Sequence, residues 1–118
     1  MIRSYKDLEV YQKSYSLALE IHRLTKMLPK EEKYELGAQT RKAAVSIPAN
    51  IAEGYGKKRS KAEFKRFLLI SLGSCNEINV YINMFKDLGY IEEKTADKLL
   101  ERYEVLGKQI NTMIAKWV

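Results

Sequence analysis

With 118 residues, 46 % of them hydrophobic and 31 % charged, the chain has the size of one domain spanning residues 1–118 and enough apolar side chains to bury a core, which excludes both a fusion of two enzymes and a disordered protein. Two prolines and six glycines are too few breakers for an all-β sandwich, so a helical domain remains. The formal charge of +6 suits an anionic partner without specifying which one.

In the first third, Leu8, Tyr11, Tyr15, Ala18 and His22 recur at spacings of three and four, and Val10, Leu17, Ile21, Leu24 and Leu28 form a second row beside them. The two rows predict one helix with a wide buried arc, stopped at Pro29 because the residue before a proline disfavours the helical region. A second helical pattern runs over residues 31–54, with Leu36, Thr40, Ala43, Ala44, Ile47 and Ile51 facing inward. Pro48 lies inside it, removing one backbone donor and crowding the Ala44 carbonyl, so a kink is expected near residues 44–47, with Ser46 placed to satisfy the disturbed turn. Gly54 and Gly56, followed by Lys57, Lys58 and Arg59, are expected to supply left-handed positions that end this helix.

Ser60, Lys61, Ala62 and Glu63 read as a capping box, in which Ser60 and Glu63 each satisfy an orphan amide of the other's residue. From there Phe64, Phe67, Leu68, Ser71, Cys75, Ile78, Ile82 and Phe85 keep the three-four rhythm until Gly89. The last helix, starting near residue 92, repeats it with Ala96, Leu99, Tyr103, Leu106, Ile110, Met113 and Trp117. Four helices with short connections predict an all-α, antiparallel up-down-up-down four-helix bundle.

Few residues could carry catalysis. His22 is the only histidine, and it lies two residues from Glu20, whereas a di-iron carboxylate site needs two Glu-x-x-His pairs. One cysteine and one histidine fall short of a zinc site, so neither metal nor cofactor is expected. His22 reads as a packed helix residue with one satisfied nitrogen, and Cys75, on an inward stripe, as a small apolar side chain and not a nucleophile. Gly54 and Gly56 lack the Gly-Lys-Ser/Thr ending and the preceding strand of a phosphate loop. An RNA-cleaving enzyme would need a partner for His22, so a non-enzyme is expected. A lone cysteine, no apolar stretch near the ~20 residues of a membrane span, and the frequent charges in residues 1–15 point to a soluble protein of the reducing cytoplasm.

Charge is unevenly placed. Residues 56–66 hold Lys57, Lys58, Arg59, Lys61, Lys65 and Arg66 against Glu63 alone, which is +5 of the chain's +6. Cations at a helix start oppose its dipole, which favours an anion-binding surface over a merely solvated turn. Tyr5, Tyr11, Tyr15, Tyr81, Tyr90 and Tyr103 fall at or near buried rows and read as core or subunit contacts in preference to a base-stacking platform. Because each helix carries a wider apolar arc than one bundle core needs, Tyr11, Tyr15, Tyr81 and Tyr103 are assigned to a homo-oligomer interface.

The run RKAAVSIPANIAEGYGKKRS resembles the 23S rRNA intervening sequence proteins, also labelled four helix bundle proteins, and DLEVYQKSYSLALEI, FKRFLLISLGSCNEI and KDLGYI look like other blocks of that family. The resemblance covers roughly residues 5–91 and is most specific over residues 46–54, while the final helix matches only by its apolar rhythm. Family members often carry Trp where Tyr11 stands and Arg where Leu72 stands, so the loss at Leu72 concentrates nucleic-acid contact on Arg41, Lys42 and the basic residues 57–66. Asn50 and Glu53 match the family motif, and the structural role implied for Ser46, Pro48, Asn50, Glu53 and Gly54 is to hold the kinked helix and its end. Such proteins are similar to the accessory variability protein of diversity-generating retroelements, a pentameric basic bundle that binds nucleic acid and a reverse transcriptase. The resemblance thus implies an RNA-binding adaptor in a ring of five, with a reverse transcriptase as a possible protein partner; the alternative is a scaffold docking an acidic protein.

Overall fold

A computed structural model describes residues 1–117. A 3₁₀ turn at Tyr5–Asp7 leads into α1 (Glu9–Thr25), a short α2 (Lys30–Lys33), α3 (Leu36–Gly56), α4 (Lys61–Asp87) and α5 (Glu93–Lys116), with no strand among the described residues. The long helices α1, α3, α4 and α5 form the expected four-helix bundle, 45 × 23 × 22 Å. The α3–α4 seam is the most extensive, α1–α3 and α4–α5 follow, and α1–α5 is the loosest. Ile21, Ala44, Ile47, Ile51, Phe64, Leu68, Ile78, Ile82, Phe85, Leu106 and Ile110 are fully buried along its axis.

The buried arc of α1 is narrower than two full apolar rows. Tyr15 and His22 stand on the surface, and Ser14 and Thr25 take buried positions instead. Their hydroxyls donate back to the carbonyls of Tyr11 (3.0 Å) and His22 (3.2 Å), so neither leaves an orphan in the core. A full capping box precedes α1: Ser4 Oγ accepts from the Lys6 amide, and the Asp7 carboxylate accepts from the amides of Arg3 (2.7 Å) and Ser4 (3.1 Å). Those two amides hold the Asp7 carboxyl below the usual carboxylate range.

The pattern over residues 31–54 is not one helix. The chain breaks at Tyr34 and Glu35, the latter at φ −106° and ψ −95°. Gly37 is the reason the short α2 can fold down here, since a Cβ at that position would lie 3.0 Å from the Glu32 carbonyl oxygen and 3.2 Å from Leu28 Cδ1. Beyond the break α3 runs unbroken through Pro48 as a bent helix. The bend is stitched to α4 by hydroxyls: Ser71 Oγ donates to the Ile47 carbonyl (3.0 Å), and Ser46 Oγ meets Ser74 Oγ (2.9 Å). Asn50 Nδ2 donates to both the carbonyl (2.7 Å) and the Oγ (3.0 Å) of Ser46.

Gly54 and Gly56 lie inside α3 and adopt no left-handed conformation; among the described residues only Gly89 has a positive φ, +78°. The helix ends instead by tightening, with the Lys57 amide donating to the Gly54 carbonyl and the Lys58 amide to that of Tyr55. Gly54 serves close approach, because a Cβ there would sit 2.7 Å from Phe67 Cβ and 3.0 Å from Phe64 Cδ1. Only half of the box expected at Ser60 forms. Ser60 Oγ accepts from the Glu63 amide (3.2 Å), but the Glu63 carboxylate turns to Arg66 and the Ser60 amide donates to the Lys57 carbonyl. At the other end of α4, the Tyr90 amide reaches the Phe85 carbonyl and the Gly89 amide that of Lys86, the paired bonds of a Schellman stop.

Two outcomes follow from this packing. Replacing Gly54 with Ala will destabilise the fold by about 1–3 kcal/mol, since overpacking against Phe67 exceeds the gain in helix propensity. Gly56→Ala, with nothing within 4 Å of the new Cβ, will be neutral or slightly stabilising. Paired urea melts check the contrast. Burial also pushes the Cys75 thiol from 9.0 up to about 12. The native chain keeps a proton that the unfolded chain gives up, so this group's contribution to stability is lost as the pH rises above 9 toward 12. At pH 8 the thiol will resist a disulfide reagent until denaturant opens the core, as absorbance of the released thiolate will report.

Candidate nucleic-acid interface

The up-down topology brings the end of α3, the start of α4, the end of α5 and the entry to α1 to one pole of the bundle. Phe64 marks the join: its ring stands edge-on to Trp117 at 4.6 Å and to Tyr55 at 6.2 Å. Over this aromatic base sits the basic turn, with Lys57, Lys58, Arg59, Lys61 and Arg66 exposed and Lys65 half-buried. Three of the cations rest on rings: Lys58 Nζ lies 3.8 Å from the Tyr55 centroid, while Lys57 Nζ and the Arg66 guanidinium lie 5.0 Å and 4.5 Å from that of Phe67. Each such contact contributes about 0.5–1 kcal/mol at an exposed site and limits where the charge can swing.

Acids neutralise only part of this pole. Lys57 reaches Glu53 at 3.9 Å, and Arg66 pairs with Glu63 at 2.9 Å. The hydrogen bond from Arg66 holds the Glu63 carboxyl below its ordinary range and raises Arg66 in turn. Lys58, Arg59, Lys61 and Lys65 have no ion-pair partner among the described residues. Arg3, Lys6 and Lys116, all exposed, join the same pole because the 3₁₀ turn packs on α3 and α5 ends beside Phe64. No local motif marks those three; only the antiparallel connectivity brings them to the turn.

Two sequence candidates lie elsewhere. Arg41 is half-buried and spends two of its N–H groups inside the fold: Nη1 donates to Thr25 Oγ1 (2.9 Å) and Nη2 to the Lys33 carbonyl (3.0 Å), so its guanidinium ties α1 and α2 to α3. Lys42 is exposed but stands fifteen residues before Lys57, roughly 22 Å along the helix. Of the motif residues, Ser46 and Gly54 meet α4 directly, Asn50 is bonded to Ser46, Pro48 is buried at the bend, and Glu53 sits outside beside Lys57.

The tyrosines assigned to a subunit contact divide. Tyr103 is 2 % exposed and lies in the core, where its hydroxyl has no partner among the described residues and burial raises its pKa, so it cannot form an interface. Tyr81 is half-buried, its hydroxyl 3.1 Å from both Gln39 Oε1 and Glu77 Oε2, and Tyr11 is half-buried too. Only Tyr15 is well exposed. Exposed aliphatic side chains occur on all four long helices, Leu19 on α1 and Val105 on α5 among them, and are most numerous on α4, where Leu69, Ile70, Val80 and Met84 stand with Val45 of α3 as the further exposed one. Among the described residues no group of three or more His, Cys, Asp or Glu side chains gathers, and no helix is long and apolar enough to cross a membrane.

No curated protein matches this chain. Among solved structures it is similar to a protein of unknown function from the S23 ribosomal protein family of Bacteroides thetaiotaomicron, with 27 % identity over 91 % of this chain and 96 % of that one and a TM-score of 0.83. The family model described as 23S rRNA-intervening sequence protein matches residues 6–112, nearly the whole bundle and all of its basic turn. With sequence and fold in agreement, the chain belongs to the 23S rRNA-intervening sequence protein family.

Proposed function

We propose that this protein is a non-enzymatic, homo-oligomeric adaptor of the cytoplasm that binds RNA or another nucleic acid through the basic pole. The observation that carries this reading is the convergence there of Lys57, Lys58, Arg59, Lys61, Lys65 and Arg66 with Arg3, Lys6 and Lys116, several of them braced on aromatic rings. Exposed lysine and arginine heads neutralise phosphates and read little base sequence. A reverse transcriptase is the protein partner that the family resemblance brings with it. The oligomer rests on Val45, Leu69, Ile70, Val80 and Met84, aliphatic side chains that a neighbouring copy would cover. A closed ring is the usual product of a heterologous contact; its count of five comes from the pentameric relative. Five copies of the basic turn would present roughly +25 and let weak phosphate contacts act together.

Titration of a labelled RNA hairpin at several salt concentrations tests the binding. Engagement of about 3–5 phosphates gives a log-log slope of about −2 to −4, and affinity that ignores salt, or that is absent at low salt, contradicts it. Replacing Lys57, Lys58 and Arg59 together by Glu will abolish binding while circular dichroism stays unchanged, because exposed charges add little to the fold. Polyglutamate bound as tightly as RNA would favour the acidic-protein scaffold instead. Light scattering after size exclusion will give the mass of a pentamer, and Val80→Glu will lower it; a wild-type monomer at micromolar concentration defeats the oligomer.

A further inference from the structure

The entry to α1 carries an aromatic cleft that the phosphate contacts do not use. Tyr5, Tyr11 and Tyr15 form a ladder, with Tyr5 edge-on to Tyr11 at 4.8 Å and Tyr11 tilted by 37° to Tyr15 at 5.9 Å. Tyr5 and Tyr11 pack against the core, whereas Tyr15 is 50 % exposed and its hydroxyl has no hydrogen-bond partner among the described residues. Lys6, Tyr11, Gln12, Tyr15 and Ser16 line a cavity of about 540 Å³ here, within the size that takes a small planar ligand. Gln12 Nε2 donates to the Lys6 carbonyl at 2.8 Å, which fixes the amide and leaves Oε1 as an acceptor.

These groups select a chemistry. The exposed Tyr15 ring, with the half-buried Tyr11 beside it, offers aromatic surface to a flat π-system, a lysine offers a counter-charge, and an amide and a hydroxyl offer hydrogen bonds at the edge. An aliphatic neighbour would gain nothing from Lys6, Gln12 and Ser16, and a cationic ligand would be repelled by Lys6. A nucleotide with its base exposed satisfies all of them, and the cleft lies near the entry to α1, at the pole that also carries the Lys57–Arg66 charges, whose field favours a polyanion there. We propose that the Tyr11–Tyr15 cleft stacks an unpaired nucleobase with Lys6 on the adjoining phosphate, which makes the preferred ligand single-stranded RNA. A duplex keeps its base faces stacked inside and can offer this cleft only phosphate. The inference rests on the nucleic-acid reading above and adds to it the strandedness of the ligand.

Fluorescence anisotropy at fixed salt, with a labelled oligoadenylate of ~10 nucleotides and an RNA duplex of equal length, separates the two. The single strand will bind more tightly than the duplex. Tyr15→Ala, at an exposed position that the fold does not need, will weaken the single strand by roughly tenfold and leave the duplex unchanged; Tyr15→Phe, which keeps the ring, will bind like the parent. If Tyr15→Ala weakens neither or both equally, stacking is refuted while salt-dependent binding through the Lys57–Arg59 turn stands. A fall in oligomeric mass on Tyr15→Ala would make Tyr15 a subunit contact and also refute it. Loss of all salt-sensitive binding in the parent protein would remove both readings.

Discussion

Where α3 meets α4, a proline-broken turn must be buried, and the rest of the bundle is arranged around that need. Pro48 leaves the Ala44 carbonyl without its helical donor and bends α3. Beside the bend, Ser71 Oγ donates to the Ile47 carbonyl and Ser46 Oγ meets Ser74 Oγ, and these two contacts fix the rotation of α4 against α3. One turn farther on, Gly54 admits Phe64 and Phe67 against the α3 backbone. The polar contact and the close approach together bring the two helices into their tightest seam just before the chain reverses at residues 57–60.

That seam also positions the charges. Because Phe64 and Phe67 are pressed against α3, Phe67 remains within reach of Lys57 and Arg66, and Tyr55 within reach of Lys58. The cations therefore stand on a rigid aromatic base and not on a loose loop, and the half-formed cap at Ser60 leaves Glu63 to pair with Arg66. The motif residues and the basic residues are thus parts of one construction, the former setting the distance between two helices and the latter decorating the turn that joins them.

The four long helices, the stop at Gly89, the proline bend and the basic turn were all legible in the sequence, because each depends on local spacing or on one residue's backbone chemistry. What the spacing hid were choices made by neighbours. Tyr15 and His22 share a row with Leu8 and Ala18, yet the helices packed on α1 cover only part of that row and leave these two wet. The break at Tyr34 and Glu35 has no proline or glycine of its own, and the close approach of Leu28 and the Glu32 carbonyl to Gly37, two residues on, accompanies it. Gly54 reads as a terminator by composition, while its actual constraint is Phe67, thirteen residues on. Arg41 looks like a free base until Thr25 and the Lys33 carbonyl take both of its terminal nitrogens. At the candidate interface the local run was visible, whereas Arg3, Lys6 and Lys116 belong to it only through the fold.

Concentrating nearly all of the net charge on one pole ties the thermodynamics of the bundle to its ionic surroundings. Arg3, Lys6 and Lys116 are brought to the pole of the like charges at residues 57–66 by the fold alone and part from them when the chain unfolds, so the fold carries a self-repulsion that dissolved salt screens. Any polyanion that engages the native pole and not the unfolded chain removes the same repulsion and adds its own binding energy. Occupancy of this end and persistence of the fold are therefore linked quantities, each raising the other, even though the charged turn and the hydrophobic axis share almost no side chains.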